Sequence, residues 1–197
     1  YPVLYFPKFF HPDPTVKRQA GFLQPQFNKS DILGSSLLTP YFIPISENRD
    51  YTFKPTIFDS NIYMFQHEYR EKQKNSSLIA DFSITKGYQS SLPNSNKNSI
   101  THLFAKYNLN LDLPNFFRSN LDVFYEKVSN DTYLKIFDNN LIETIVKPKN
   151  FNTLSSGVTL ELDHEDYIFT TGVNMYESLQ TNKSSDRYSY ALPYYRF

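Results

Sequence analysis

His11, His67, His102 and His164 stand singly in the chain, and none forms the H-x-x-x-H or H-E-x-x-H pattern that sets zinc ligands on one helix face. They read as surface or strand histidines. Asp163-His-Glu-Asp166 gathers three carboxylates and an imidazole, a set with the hard-oxygen chemistry of calcium sites. It falls where the chain must reverse between two alternating segments, so a polar turn accounts for it. Asn28-Lys-Ser, Asn75-Ser-Ser, Asn130-Asp-Thr and Asn182-Lys-Ser have the form of glycosylation sequons, which chance supplies in a chain so rich in Asn and Ser. No Ser/His/Asp spacing, Gly-rich phosphate loop or G-x-S-x-G elbow is present. The expectation is no catalytic residue, no metal ligand and no cofactor. The enzyme class left open is a barrel lipase or protease, whose catalytic groups are scattered over strands.

The elements that carry these residues alternate. In Leu103 to Asp112, Leu103, Ala105, Tyr107, Leu109 and Leu111 fall on one face of a strand, and Lys106, Asn108, Asn110 and Asp112 on the other. Leu78, Ala80, Phe82 and Ile84 oppose Asp81; Leu121, Val123 and Tyr125 oppose Asp122 and Glu126; Val158, Leu160 and Leu162 oppose Glu161 and Asp163. A sheet with one greasy and one charged face is half of a sandwich, or the wall of an outer-membrane barrel with apolar lipid side and wet lumen. A lipid-facing Arg or Lys at mid-depth costs roughly 2 to 4 kcal/mol, so confining charge to one row suits the barrel.

Composition agrees with strands. The chain has 16 Tyr and 18 Phe but only 5 Gly and 2 Met, which favours an all-β class. Twenty basic residues against twenty acidic ones give zero net charge and no field to draw nucleic acid. Zero Cys removes disulfides and thiolate sites from this segment. No stretch is long and apolar enough for a membrane helix, whereas a barrel strand needs only about 9 to 11 alternating residues. The chain opens on Tyr1 in mid-pattern, and is expected to be a piece of a longer protein.

Ten strands are expected near 21–27, 35–45, 50–58, 62–71, 77–86, 99–111, 118–128, 153–163, 166–177 and 187–197. Alternate connections differ in length. Those at 87–98, 129–152 and 178–186 are long and Asn/Ser-rich, while 46–49, 72–76, 112–117 and 164–165 are short, as in a barrel with long external loops and short periplasmic turns. The first two strands contain Pro25, Pro40 and Pro44, and each proline deletes a ladder donor, so this edge is expected to pair weakly. The opening YPVLYFPKFF, with Pro2 and Pro7, suits a sheet edge or the last strand of a preceding domain.

The ordered set Arg18-Gln-Ala-Gly-Phe-Leu-Gln-Pro25, Thr39-Pro-Tyr-Phe42, Asp50-Tyr-Thr-Phe-Lys-Pro55 and Glu68-Tyr-Arg70 resembles the start of the barrel in the LptD family, the lipopolysaccharide-assembly proteins of the Gram-negative outer membrane. Arg18, Gly21 and Phe22 match its R-x-x-G-F-L-x-P stretch, and Asp50 and Pro55 its D-x-T-x-x-P strand. Ser129 to Tyr133 looks like its S-x-x-x-Y loop element, and Tyr190-Ala-Leu-Pro193 like a downstream strand. The resemblance implies a division into residues 1–17, the end of a periplasmic jelly roll with its linker, and residues 18–197, the first part of an unclosed antiparallel barrel. It also implies a job. Lipopolysaccharide would pass from a periplasmic bridge protein, LptA, through the jelly roll, and leave through a seam between the first and last barrel strands that Pro25 and Pro40 weaken, with the plug lipoprotein LptE inside the barrel. Edge protection against mispairing is the simpler role for these prolines. A generic porin or receptor barrel, and a soluble carbohydrate-binding β-sandwich, are the competing readings of the whole.

Overall fold

A computed structural model describes residues 18–88, 99–180 and 186–197. The segment 1–17 read as the end of a jelly roll, most of the 87–98 connection and part of 178–186 lie outside them. The strands are β1 (Gly21–Phe22), β2 (Gln26–Ser30), β3 (Gly34–Leu38), β4 (Tyr41–Ser46), β5 (Arg49–Phe58), β6 (Tyr63–Lys72), β7 (Ser76–Lys86), β8 (Ser99–Asn110), β9 (Arg118–Val128), β10 (Thr153–Asp163), β11 (Ile168–Ser178) and β12 (Tyr188–Arg196). A single helical turn, α1 (Tyr133–Ile136), and a 3-10 turn at Asp138–Asn140 lie between β9 and β10. The chain is therefore all-β, as the alternation predicts.

Among the described residues, all twelve strands belong to one antiparallel sheet. From β5 to β12 each pairs with its neighbour in sequence, and β1 and β12 stand at the two ends of the strand order without pairing to each other, an open, partial barrel wall. A sandwich needs a second sheet facing the first. Among the described residues there is none.

Where the sequence suggests two continuous strands, 21–27 and 35–45, the structure has four short ones. Leu23 to Pro25 interrupt the first and Thr39-Pro40 the second, because proline cannot donate to a ladder and restricts the residue before it. Two stacked tiers result. β2 and β3 form an upper hairpin on β5, and β1 and β4 a lower pair on the same strand. The remaining strand boundaries shift by no more than a few residues, and β9 and β10 match their expected ranges.

Facing follows the period-two rows. Phe82, Leu103, Tyr125, Val158 and Val173 are exposed on one face, here called outer. Lys106, Asp122 and Glu126 line a hollow on the other, inner face together with Val146 and Lys147 of the 129–152 connection. Connections at 31–33, 59–62 and 129–152 gather at one end of the sheet; those at 47–48, 73–75, 111–117 and 164–167 gather at the other and are short.

The long 129–152 connection, expected on the external side, leaves β9 at the long-loop end of the sheet. It folds back over the inner face, and Tyr133, Leu134, Phe137 and Leu141 become fully buried against Leu33, Phe58, Met64, Ile100 and Phe104. This is the hydrophobic core of the molecule, and it fills the long-loop end of what would otherwise be a wet lumen.

Candidate functional site

The proline level of the first three strands is the place where the ladder fails. Register between β3 and β5 ends at Leu38↔Thr56 and resumes on β4 at Tyr41↔Phe53, so Thr39 and Pro40 bridge the gap opposite Pro55 and Lys54. One strand over, Phe22 pairs with Tyr41 but Gln26 pairs with Leu38, so three residues, Leu23 to Pro25, lie opposite two. That is the count of a β-bulge.

Two hydrogen bonds cross this level, and each goes one way. The Thr39 amide donates to the Pro55 carbonyl at 3.1 Å, and the Leu23 amide donates to the Pro40 carbonyl at 2.8 Å. A hydrogen-bonded antiparallel pair normally exchanges both N–H···O bonds. Pro55 and Pro40 have no N–H to return, so two successive interfaces each lose half of a pair at one height. Of the sequence-predicted residues, Pro25 and Pro40 stand in the two interruptions, Gly21 and Phe22 make up β1, and Pro55 lies directly across from Thr39.

The motif heads Arg18 and Asp50 meet. The Arg18 guanidinium lies 2.5 Å from Asp50 Oδ2 and 5.1 Å above the Phe42 ring, while Arg70 Nε donates to Asp50 Oδ1 at 2.7 Å. Lys54 pairs with Glu68 at 2.6 Å just beyond. The inner face here holds a charged hollow of about 440 Å³, lined by Arg18, Lys54, Glu68, Arg70 and Glu143. Back to back with it, on the outer face, lies an apolar groove of about 660 Å³ between Phe22, Tyr41, Ile43, Phe53 and Pro55. His67 closes its floor, bonded through Nδ1 to the Tyr51 hydroxyl at 2.5 Å. The sheet here is charged on its inner side and apolar on its outer side.

The plug segment is held by groups whose proximity sequence spacing conceals. Asp81 Oδ1 lies 2.6 Å from His102 Nε2, and Ser83 Oγ and Tyr133 OH both lie within 2.9 Å of His102 Nδ1. Burial pushes the Tyr133 hydroxyl far above the ordinary tyrosine range. Acid, imidazole and hydroxyl thus come together although the sequence shows no such spacing, and His102, read as a surface or strand histidine, is buried. All four side chains are buried, and the Tyr133 hydroxyl lies 2.7 Å from Ser83 Oγ. The cluster docks the loop. Its one sequence signal is the inner row of β8, where Ile100 and Phe104 flank His102 before Lys106, Asn108 and Asn110 follow: an apolar inner row must be covered by something.

Further contacts tie the folded-back 129–152 segment to the upper tier and to β6. Gln26 Nε2 donates to Glu143 Oε1 at 2.6 Å, and Gln66 Nε2 to Thr144 Oγ1 at 2.8 Å. At the far edge Arg187 forks onto Asp131 and also bonds Glu177, which holds Lys127 at 2.7 Å. The Asp163–Asp166 cluster is the β10–β11 turn, closed by His164 N–H to Tyr167 C=O at 2.8 Å.

No family model matches the chain. Among curated proteins it is similar to the LPS-assembly protein LptD of a Polaromonas species, 45% identical over 56 residues, which are 28% of this chain and 7% of that protein. It aligns along most of its length with the LPS-assembly protein LptD of Pseudomonas fluorescens, 28% identical over 89% of this chain and 18% of the relative. The LPS-assembly protein LptD of Cupriavidus necator is 26% identical over 85% of this chain and 19% of its own length. The chain thus spans less than a fifth of the curated relatives it matches. Along most of its residues the chain is similar to part of LptD proteins, and its single open antiparallel sheet has the form of a partial β-barrel.

Proposed function

We propose that this chain is the opening part of the membrane wall of a lipopolysaccharide-assembly barrel in the Gram-negative outer membrane, and that its proline-broken strands are one lip of a lateral gate. Lipopolysaccharide would leave through that gate into the outer leaflet. The observation that carries the reading is the pair of one-way hydrogen bonds at Pro40 and Pro55, beside the bulge at Pro25. A lip that must bend away without tearing a full ladder is served by missing donors at one height. The back-to-back charged and apolar hollows suit an amphiphile whose headgroup and chains part company there.

The reading entails further partners, in keeping with the resemblance: a periplasmic bridge protein such as LptA delivering lipid to a jelly roll that residues 1–17 would end, and a plug lipoprotein such as LptE within the completed barrel. It is a transport and assembly role, with no catalytic residue, metal or cofactor assigned and no nucleic acid as partner. A generic porin or receptor barrel has the same rows and loops, but no need for a weakened edge.

The test is the double substitution Pro25→Ala with Pro40→Ala in the full-length protein. Restored donors that find acceptors are worth roughly 0.5 to 1.5 kcal/mol each, enough together to shift opening by roughly fivefold to a hundredfold. The variant is expected to insert normally, to deliver lipopolysaccharide to the cell surface more slowly, and to sensitise cells to large hydrophobic antibiotics. Normal delivery in a correctly inserted variant would leave these prolines as edge protection only.

A further inference from the structure

We propose that Arg18 is a releasable latch that holds the short edge strand β1 against β5, with Asp50 as its catch and Arg70 as the residue that keeps the catch in place. This rests on the lateral-gate reading and names a contact inside the lip that bending of the lip breaks.

β1 is two residues long and has two register pairs with β4, so its own ladder holds it weakly. Arg18 compensates from outside the strand. Its side chain crosses over Phe42 of β4 and reaches Asp50 on β5, tying the edge to the third strand rather than to its neighbour. Peeling β1 away from β4 separates this pair at once.

The two partners are unequal in a way that suits release. The Arg18 side chain is 44% exposed, so it can pass into water with little change in solvation, whereas that of Asp50 is 8% exposed. A buried carboxylate stripped of its only cation would be costly. Asp50 is not stripped, because Arg70 remains on its other oxygen at 2.7 Å. Arg70 is itself kept near Asp50 by Glu68 at 3.5 Å. A structural rivet would bury both charges and strand one when broken; here one arm leaves and the catch stays satisfied.

The experiment places spin labels at Phe22 and Tyr125, both on the outer face and separated by five strands, in the otherwise intact full-length protein in liposomes. Arg18→Gln is expected to raise the population with β1 displaced by roughly threefold to tenfold, the worth of a partly exposed charge-assisted bond. Arg18→Lys is expected to restore part of the closed population. In the unsubstituted latch the displaced population grows with added salt, since screening shortens from about 10 Å at 0.1 M to about 3 Å at 1 M; in Arg18→Gln it does not. Heat-modifiable migration confirms that each variant is inserted and folded. An unchanged label distribution in folded Arg18→Gln, or equal salt response in both proteins, overturns the latch. A shifted distribution with unaltered lipopolysaccharide delivery upholds the latch and counts against the gate reading alone.

Discussion

Thr39 donates its amide to the carbonyl of Pro55 at 3.1 Å and receives nothing back, because Pro55 has no N–H. Pro40 stands in the same relation to Leu23 one strand nearer the edge. The missing donors therefore have identifiable acceptors: the Thr39 carbonyl for residue 55 and the Leu23 carbonyl for residue 40. Pro55→Ala is expected to slow delivery much as Pro40→Ala does, by about twofold to tenfold each, and the two effects to reinforce each other. Pulse-labelled lipopolysaccharide appearing at the cell surface is the measurement; a Pro55→Ala variant indistinguishable from the parent would confine the weak level to the first two strands.

The outer and inner rows make a second prediction. Cysteines at Tyr107, Leu109, Leu121 and Val123 are expected to be shielded from a water-soluble thiol reagent in membranes, and those at Asn108, Asn110 and Asp122 to react. The charged inner residues Lys106, Asp122 and Glu126 share the hollow beneath the plug. Equal labelling of the two rows would remove the membrane wall and revive a water-soluble sheet.

Topology gives a third. Thr132 is exposed on the long-loop side and Asn115 on the short-turn side. An impermeant reagent applied to intact cells is expected to label a cysteine at Thr132 in preference to one at Asn115. The opposite preference would mean that the chain runs through the membrane the other way.

The plug makes a fourth, through Tyr133. Its hydroxyl is buried between Ser83 and His102, and burial raises its pKa above the free value of about 10. A raised acid favours the docked, protonated form, so docking is fully present below about pH 10 and weakens as pH climbs through the docked value. Tyr133→Phe keeps the ring packing and abolishes that titration, at about 1 kcal/mol for the lost hydrogen bonds. Hydrogen exchange of the 129–152 segment between pH 8 and pH 11 reads it. The same alkaline loss of protection in Tyr133→Phe would locate the titration elsewhere.

Much of the wall was legible because a pleated strand writes its facing into alternate residues: Leu121, Val123 and Tyr125 against Asp122 and Glu126 fix β9 from within its own sequence. Charge segregation and loop-length asymmetry are likewise local. The breaks at Pro25 and Pro40 were visible as weakness but not as interruption, since alternation continues in sequence across a ladder that has stopped in space. The folded-back loop was hidden because nothing between 129 and 152 has a period. Its anchors, Asp81, Ser83 and His102, become neighbours through the β7–β8 register, in which Asp81 faces Phe104 and Ser83 faces His102. Arg18 and Asp50 were each picked out by a motif, and their contact crosses an intervening strand that sequence order does not announce.

The most direct measurement of the gate is a reversible staple that stops its lip from bending. Phe22 and Tyr41 are register partners next to a hydrogen-bonded pair, the closely spaced kind of site, at about 4.5 Å between Cα atoms, that accepts a disulfide. The segment contains no cysteine of its own to compete. In the full-length protein, Phe22→Cys with Tyr41→Cys is expected to stop lipopolysaccharide delivery when oxidised and to resume it on reduction, while the control staple Val123→Cys with Val158→Cys, on an unbroken ladder, has no effect in either state. Undiminished delivery through a fully oxidised, correctly inserted Phe22–Tyr41 staple would contradict a gate at this edge.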